Sequence, residues 1–174
     1  MSKPVSADEA LTPAMRDWVR ATLPRLGPDL RFTRIGGGRS NLTYLVTGAE
    51  GGSAVLRRPP LGELLPSAHD MTRECTILRA LQDTDVPVPE VLGFCADPDV
   101  AVHPFVLMGH VDGITVDSRE AAAQLGSDAR GAVGVRLAQT LAALHAVDVD
   151  HVGLGALGRR HGYAERQVRR WTRQ

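Results

Sequence analysis

A glycine-rich loop is the first stretch of this sequence whose residue types could do chemistry. The run "IGGGRSNLTYLV" (35–46) lies between two apolar-alternating segments, and its small and polar residues are Gly36, Gly37, Gly38, Ser40 and Asn41. Glycines let backbone N–H groups approach phosphate oxygens without a Cβ in the way, and a serine hydroxyl can add a further donor. The loop could therefore cradle a phosphate, although a plain glycine-rich hairpin accounts for the same residues.

The residues around the glycines exclude two common phosphate loops. A dinucleotide-binding loop needs a glycine where Asn41 stands and a helix after it, whereas the residues that follow alternate as a strand. A Walker-type loop needs a lysine after its last glycine, and the only lysine is Lys3. The remaining arrangement, found in kinase-like sheets, is a strand, a flexible loop, a second strand and a cation on the third strand. Residues 30–58 follow that order.

A cation and a carboxylate could complete such a site. Val55 and Arg57 share one face of the third predicted strand because side chains alternate with a period of two. Glu74 lies beside the apolar stripe of the next predicted helix, where an unpaired carboxylate is costly to desolvate. Arg57 is its natural partner, and the alternatives are Arg73, Arg79 or solvation of the carboxylate at the edge of the stripe.

A small antiparallel sheet with one inserted helix must position these residues. Strands are predicted at 30–35, 42–47, 53–58, 86–94 and 101–111. Between the third and the fourth, "SAHDMTRECTILRALQD" predicts a helix that is capped by Ser67 and buries Met71, Cys75, Leu78 and Leu81. The predicted fold class is therefore α+β.

Three further helices are predicted outside the sheet. "TPAMRDWVRATLPRLG" has Thr12 as its N-cap and Pro13 at the first helical position. Residues 130–147 form a helix with an apolar stripe, and "YAERQVRRWTRQ" opens another. The apolar residues of the two stripes are Val133, Leu137, Leu141, Leu144, Tyr163, Val168 and Trp171.

Composition limits the class of protein. With 174 residues, 43% of them apolar and 23% charged, the chain has the size and the core of one domain. Basic and acidic residues number 20 each, so charge does not favour binding to nucleic acid or to a membrane surface. Cys75 and Cys95 lack metal-ligand spacing, and no secretory signal precedes them. We therefore expect reduced, buried thiols in a cytoplasmic protein.

An ordered series of motifs resembles the aminoglycoside phosphotransferase family. The series runs from about Arg16 to the end of the chain and comprises "GGGRSNLTYLV", "AVLRRPP", "LLPSAHDMTRECTILRAL", "VPVPEVLGFCAD", "PFVLMGHVDG", "LAALHAVD", "GLGALGR" and "GYAERQVRRW". Within the family it is most similar to a bacterial branch related to the kinase-like domain of some acyl-CoA dehydrogenases. The resemblance implies a protein-kinase-like N-lobe and transfer of phosphate from ATP, with Mg²⁺, to a small-molecule hydroxyl.

The resemblance also implies roles for the phosphate-binding residues. The loop from Gly36 to Asn41 would cover the nucleotide phosphates. Arg57 would stand in for the strand-three lysine that contacts the α- and β-phosphates, and Glu74 for the helix glutamate that pairs with it. Arginine in place of lysine is a departure from the family, because it keeps the charge but is larger and forked.

The stretch "MGHVDG" would be the hinge between two lobes. By resemblance, Met108 would lie at the back of the adenine pocket. The Gly109 carbonyl and the Val111 N–H would form the edge that hydrogen-bonds the base. Together with the sheet, the resemblance predicts a tail and helix at 1–28, an N-lobe ending in the hinge at 29–111, and the start of a helical C-lobe at 112–174.

The catalytic loop of the family is missing from the sequence. That loop resembles H-G-D-x-x-x-x-N, and the only asparagine is Asn41. His145, Asp148, Asp150 and His151 could be imagined as a metal cluster, but polar turns at a helix end explain them better, with His145 packed on its helix. We expect the chain to be truncated before the catalytic loop and to be inactive alone. No catalytic residue or metal ligand is assigned to it.

Alternatives to a phosphotransferase fragment remain at this point. The chain could be a non-catalytic module that binds a nucleotide or a protein, or a structural remnant without a ligand. An aminoglycoside, another amino alcohol and a hydroxyacyl thioester all remain possible substrates, and subgroup resemblance disfavours the aminoglycoside. The apolar stripes of the last two helices are expected to be exposed and could drive self-association.

Overall fold

The computed structural model describes residues 11–36, 41–62, 69–158 and 161–172. Its five strands form one antiparallel sheet in the order β1-β2-β3-β5-β4. The strands are β1 (Leu30–Ile35), β2 (Leu42–Gly48), β3 (Ser53–Arg58), β4 (Val91–Cys95) and β5 (Phe105–Gly109). The helices are α1 (Pro13–Thr22), α2 (Met71–Leu81), α3 (Arg119–Ala123), α4 (Ser127–Ala146) and α5 (Tyr163–Thr172), with a 3₁₀ turn at Pro24–Leu26. The predicted α+β class, with one helix inserted after the third strand, is confirmed.

Alternation along the strands gives the sheet two covered faces. Phe105 and Leu107 of β5 join α1 in one apolar cluster, whereas Val106 and Met108 join α2 in another. Trp18 of α1 meets the Phe105 ring edge to face, with centroids 5.0 Å apart and planes at 81°. The α1 and α2 helices therefore pack on opposite faces, because side chains of successive residues point to opposite sides of a strand.

The start of α1 and the β2–β3 turn form as the sequence predicts. The Thr12 hydroxyl accepts a hydrogen bond from the Met15 N–H at 3.2 Å, and Pro13 begins the helix. In the turn, Gly51 and Gly52 take φ values of 92° and 82°, a left-handed backbone that glycine adopts without strain. Both features follow from local chemistry alone.

The start of α2 differs from the prediction. The helix begins at Met71 and its N-cap is Asp70, whose Oδ1 accepts a hydrogen bond from the Arg73 N–H at 2.9 Å. The predicted cap, Ser67, lies outside the described residues. A carboxylate one residue before the helix accepts hydrogen bonds from the same unpaired N–H groups as a serine hydroxyl would. Its negative charge also interacts favourably with the positive end of the helix dipole.

Prolines shorten the two last strands relative to the prediction. β4 begins at Val91 rather than at 86, and Pro87 and Pro89 precede it; β5 begins at Phe105 rather than at 101, directly after Pro104. Proline has no N–H to donate to a neighbouring strand, so regular pairing starts after it. β5 also ends at Gly109 rather than at 111.

The helical part after the sheet begins earlier than predicted. α4 starts at Ser127 instead of 130 and ends at Ala146. The short helix α3 was not predicted; the Ser118 hydroxyl caps it by accepting a hydrogen bond from the Ala121 N–H at 3.1 Å. Among the described residues, no helix combines the length and the apolarity needed to cross a bilayer.

The apolar stripes of α4 and α5 are exposed, as predicted. Val133, Leu137, Leu141 and Leu144 of α4 are 42–60% exposed, and Tyr163, Val168 and Trp171 of α5 are 60–67% exposed. In contrast, Met71 and Cys75 of α2 are 2% and 3% exposed. Helices of this length are stabilised mainly by packing of an apolar face, and α5 has little of it.

We expect hydrogen exchange on the isolated chain to follow this difference in packing. Amides of β2, β3, β5 and α2 should exchange slowly, while those of Tyr163–Thr172 should exchange near the rate of a fraying helix. Mass spectrometry after pulsed labelling of the monomer resolves the two sets of peptides. Equal protection of 163–172 and 71–81 in a monomer would contradict the prediction.

Candidate functional site

An ion pair joins α2 to the sheet at the predicted position. Arg57 Nε lies 2.8 Å from Glu74 Oε1, and the two side chains are 37% and 27% exposed. The pair forms because Glu74 sits on the sheet-facing side of α2, one residue before the buried Cys75. The predicted partner of Glu74 is therefore the observed one, and the alternatives through Arg73 and Arg79 are not realised.

The Arg57–Glu74 contact is ionic rather than an aligned hydrogen bond. The Arg57 Nε atom is buried and lies 2.8 Å from Glu74 Oε1, but within the described part of the chain its N–H makes no hydrogen bond of regular geometry. The distance establishes a charge contact through one guanidinium nitrogen. Arginine carries five N–H donors, so Arg57 retains donors for an anion.

The adjacent arginine faces the opposite side of the sheet. Arg58 is only 4% exposed, its Nε donates a hydrogen bond to the Pro59 carbonyl at 3.2 Å, and its Nη1 lies 3.4 Å from Met15 Sδ. Burial lowers the pKa of the Arg58 guanidinium, and the nearby Tyr44 acts in the opposite direction. Strand alternation thus assigns Arg57 to the α2 face and Arg58 to the core under α1.

Asn41 of the glycine loop also points to α2. Its Nδ2 donates a hydrogen bond to Glu74 Oε2 at 3.4 Å, and its Oδ1 lies 2.7 Å from His69 Nδ1. His69 lies directly before the N-cap of α2 and has a φ of 62°, the only positive φ of a non-glycine residue in the described part of the chain. The sequence analysis did not identify His69, since residue types and spacing carry no signal for this contact.

The other glycine-loop residues are only partly described. Gly36 follows β1 with a φ of 75°, and a Cβ placed on it would meet no atom within 4 Å. Gly37, Gly38 and Ser40 lie outside the described residues. Gly36 thus turns the chain out of β1 with open space beside it, as a loop that covers a ligand requires.

The predicted hinge residues lie at the opposite end of β3 from Arg57. Met108 is paired directly with Val55, and both side chains pack in the cluster under α2. The Gly109 N–H donates a hydrogen bond to the Glu90 carbonyl at 2.8 Å, and the Val111 side chain is 73% exposed. The apolar Val55–Met108 pair and the cation of Arg57 therefore lie along one face.

The spacing along β3 suits an elongated, phosphorylated ligand. Gly109 pairs with Ala54, and Val106 pairs with Arg57, three residues further along β3. Three residues of a strand span about 10 Å. An apolar surface for a base at one end and a cation for phosphates at the other is the arrangement that nucleotide-dependent phosphoryl transfer needs.

A separate surface cavity lies away from this face. Its volume is about 540 Å³, and it is formed by the end of α1 and the first β-hairpin, around Arg20, Asp29, Arg31 and Thr47. Arg20 is already engaged there by the Pro28 carbonyl and by Asp17. We place the candidate site on the α2 face instead, because that face combines an apolar wall with an unsaturated cation.

The polar residues after α4 form a turn. Asp148 Oδ1 accepts hydrogen bonds from the N–H groups of Asp150 at 2.9 Å and His151 at 3.2 Å. His145 is exposed in the last turn of α4, so the expectation that it packs on its helix was wrong. A search of the described residues finds no group of three or more His, Cys, Asp or Glu that could hold a metal ion.

Comparison with known proteins identifies the family. The model of the "Phosphotransferase enzyme family" matches residues 31–174, which include the sheet, the ion pair and the hinge. The chain belongs to this phosphotransferase family. The match begins within β1 and continues through α4 and α5, so it covers the candidate site described above.

Curated relatives of this family member are much longer proteins. A probable acyl-CoA dehydrogenase of Arabidopsis thaliana is 40% identical over 149 residues, which is 83% of this chain and 18% of that protein. Acyl-CoA dehydrogenase family member 10 of Mus musculus is 39% identical over 137 residues, which is 79% of this chain and 13% of that protein. The chain therefore spans less than a fifth of these relatives.

A solved structure shows the same fold. A candidate aminoglycoside phosphotransferase from Ralstonia eutropha superposes with a TM-score of 0.69 at 28% identity, covering 92% of this chain and 45% of that one. The five-stranded antiparallel sheet with its inserted helix is therefore a kinase-like N-lobe. The resemblance predicted from the ordered motifs is confirmed.

Proposed function

We propose that this chain is the nucleotide-binding part of a phosphotransferase that uses ATP to phosphorylate a hydroxyl group of a small molecule. In this proposal residues 29–111 are the nucleotide-binding lobe and hinge, and residues 112–174 begin the helical lobe. The observation that carries it is the Arg57–Glu74 ion pair, 2.8 Å between Nε and Oε1, on the same sheet face as the Val55–Met108 pair. A cation held by a helix carboxylate beside an apolar wall supports binding of a nucleoside triphosphate.

The predicted site residues have different parts in the proposed nucleotide complex. Val55 and Met108 would form the apolar wall for the base, and the Gly109 carbonyl and Val111 N–H its polar edge. Arg57 would neutralise the α- and β-phosphates while Glu74 keeps its guanidinium in place. The loop of Gly36, Gly37, Gly38, Ser40 and Asn41 would cover the phosphates with its backbone N–H groups.

Mg²⁺ would be bound mainly by the phosphates and by residues other than those described. Such an ion neutralises charge on the transferred phosphoryl group. The described residues include no group of three or more His, Cys, Asp or Glu that could hold the ion. The part assigned to this chain is to bind and orient the nucleotide.

The proposed substrate is a hydroxyl compound other than an aminoglycoside. The relatives at 39–40% identity have the names of acyl-CoA dehydrogenases, whereas the candidate aminoglycoside phosphotransferase is 28% identical. A hydroxyacyl thioester is consistent with this pattern. A cytoplasmic location stays a prediction.

A titration tests the proposal on the chain as it is. We expect a fluorescent ATP analogue to bind with a dissociation constant in the micromolar to millimolar range, corresponding to about 4–8 kcal/mol. We also expect no phosphorylation of added hydroxyl compounds, because the sequence has no second asparagine for a catalytic loop. Absence of binding up to millimolar analogue would refute the nucleotide site.

Measurement of turnover separates the fragment hypothesis from a complete enzyme. A coupled assay for ADP formation should remain at the level of a boiled sample after rigorous removal of contaminating kinases. Turnover that persists through purification would contradict the expected inactivity. Nucleotide binding without turnover is expected both for a phosphotransferase fragment and for a non-catalytic nucleotide-binding module. Reading the gene after the codon for Gln174 distinguishes these two, because only a phosphotransferase fragment requires a catalytic loop to be encoded there.

A further inference from the structure

We propose that Asn41 and His69 are positioning residues for the Arg57–Glu74 pair. Their proposed task is to hold the Glu74 carboxylate so that one oxygen faces Arg57 and the other faces Asn41. The proposal rests on the nucleotide-binding function above, which it deepens by naming residues whose side chains position the phosphate-binding cation, Arg57, through Glu74.

The two carboxylate oxygens of Glu74 have different partners. Oε1 lies 2.8 Å from Arg57 Nε, and Oε2 accepts a hydrogen bond from Asn41 Nδ2 at 3.4 Å. A partly exposed ion pair alone holds its side chains weakly, because solvent screens the charges and both chains lose rotamer freedom. A second contact on the other oxygen restricts rotation of the carboxylate about its last bond.

The chemistry of Glu74 and Asn41 determines which atoms donate in these two contacts. A carboxylate only accepts hydrogen bonds, so the amide nitrogen of Asn41 must face Glu74. The Asn41 oxygen then faces His69 Nδ1 at 2.7 Å, and since an amide oxygen also only accepts, His69 Nδ1 carries a proton. The contacts therefore run in one direction, with His69 donating to Asn41 and Asn41 donating to Glu74.

The backbone of His69 adopts an unfavourable conformation that brings its side chain to Asn41. A φ of 62° is uncommon for a residue with a side chain, and histidine is among the types that adopt it most often. The residue then leads directly into the Asp70 cap and α2. Such conformations persist where surrounding contacts hold them, and the bond to Asn41 is one such contact.

The network joins three elements that a nucleotide would bridge. Asn41 directly precedes β2 at the end of the glycine loop, Glu74 is on α2, and Arg57 is on β3. Thr43, two residues after Asn41, pairs with Arg57. The loop end, the helix and the cation are thereby fixed relative to one another before any ligand arrives, which lowers the ordering cost of binding.

Substitutions at position 69 test the network with a matched series. Asparagine can place an N–H donor where His69 has Nδ1 and also tolerates a positive φ, so His69→Asn should bind the fluorescent ATP analogue within about twofold of wild type. His69→Ala removes the donor, and His69→Asp replaces it with an acceptor. Both should weaken binding by about threefold to tenfold, the equivalent of one hydrogen bond.

Substitution of Asn41 tests the next contact in the network. Asn41→Ala should weaken binding to the same extent, and Asn41→Ala combined with His69→Ala should be no worse than either alone, because both remove the same support. Thr76→Ala is the matched control on α2: Thr76 is exposed and bonds its own helix through the Thr72 carbonyl, so the affinity should not change.

A nucleotide-free readout keeps the proposal separate from the proposed function. In ¹⁵N spectra of the wild-type chain, His69 should show a protonated Nδ1, and the Arg57 Nε–H resonance should shift in His69→Ala and Asn41→Ala but not in His69→Asn or Thr76→Ala. If wild type binds no nucleotide while these shifts occur, the proposed function fails and the positioning role stands. An Arg57 resonance unmoved in all variants, or equal affinities for His69→Asn, His69→Ala and His69→Asp, would overturn the positioning role.

Discussion

Replacing Arg57 with alanine is expected to lower the affinity of the chain for an ATP analogue by at least about tenfold. A hydrogen bond to a charged group contributes about 1.5–3 kcal/mol, and each 1.4 kcal/mol is a factor of about ten in the dissociation constant. Arg57→Lys should retain most of the affinity, since the charge stays and only the forked geometry is lost. Fluorescence titration with the same analogue measures all three chains.

Two controls show whether the loss is specific to the site. Arg73→Gln removes a positive charge from α2 without touching the observed ion pair, so its affinity should match that of the wild type. Arg57 is 37% exposed, so Arg57→Ala should change the free energy of unfolding by no more than about 1 kcal/mol. Equal affinity of Arg57→Ala and wild type would show that Arg57 does not contact the nucleotide. An equal loss of affinity in Arg73→Gln would show that the effect depends only on the net charge of the chain.

Gly48→Ala is expected to destabilise the sheet by about 3 kcal/mol or more. A Cβ on Gly48, the last residue of β2, would overlap the backbone oxygen of Leu26 and lie 2.8 Å from its carbonyl carbon. That oxygen cannot rotate away, because Leu26 is 1% exposed and the Gly27 N–H, which shares a peptide plane with the oxygen, donates to the Pro24 carbonyl at 3.1 Å. The chain must move β2 or the turn after α1, and overpacking of a filled core costs about 1–3 kcal/mol or more.

Urea unfolding followed by Trp18 fluorescence measures this loss, with Trp171→Phe as the common background. Trp18 reports on the core because its ring contacts Phe105. Gly131→Ala in α4 is the matched control, since a Cβ there meets no atom within 4 Å and helical glycine is less favourable than alanine by up to about 1 kcal/mol. Gly48→Ala with an unchanged midpoint would show that the close approach of Leu26 is not a constraint.

Local chemistry in the sequence was enough to predict the five strands and every α-helix except α3 in their order along the chain. β1 and β3 occupy the predicted residues, β2 extends one residue further, and Thr12 caps α1, because alternation, glycine turns and N-caps act over a few residues. The Arg57–Glu74 pair was also predictable, since a carboxylate beside an apolar stripe needs a cation and strand alternation directs Arg57 to that face. The membership of the family followed from the ordered motifs together rather than from any one of them.

Other features depended on contacts between residues far apart in the sequence. Asn41 belongs to the loop predicted to cover phosphate, and its side chain bonds Glu74 and His69, which lie 33 and 28 residues away. The N-cap of α2 and the first paired residues of β4 and β5 were also misplaced by the sequence. Asp70 and the prolines mark these boundaries, but which of several candidate residues starts an element depends on its packing against the sheet. The sequence by itself determined which elements form and which charges must meet, because these follow from propensity and desolvation. Only the tertiary structure decided which polar side chains hold that pair, because a hydrogen bond depends on distances and angles that the packing of α2 on the sheet establishes.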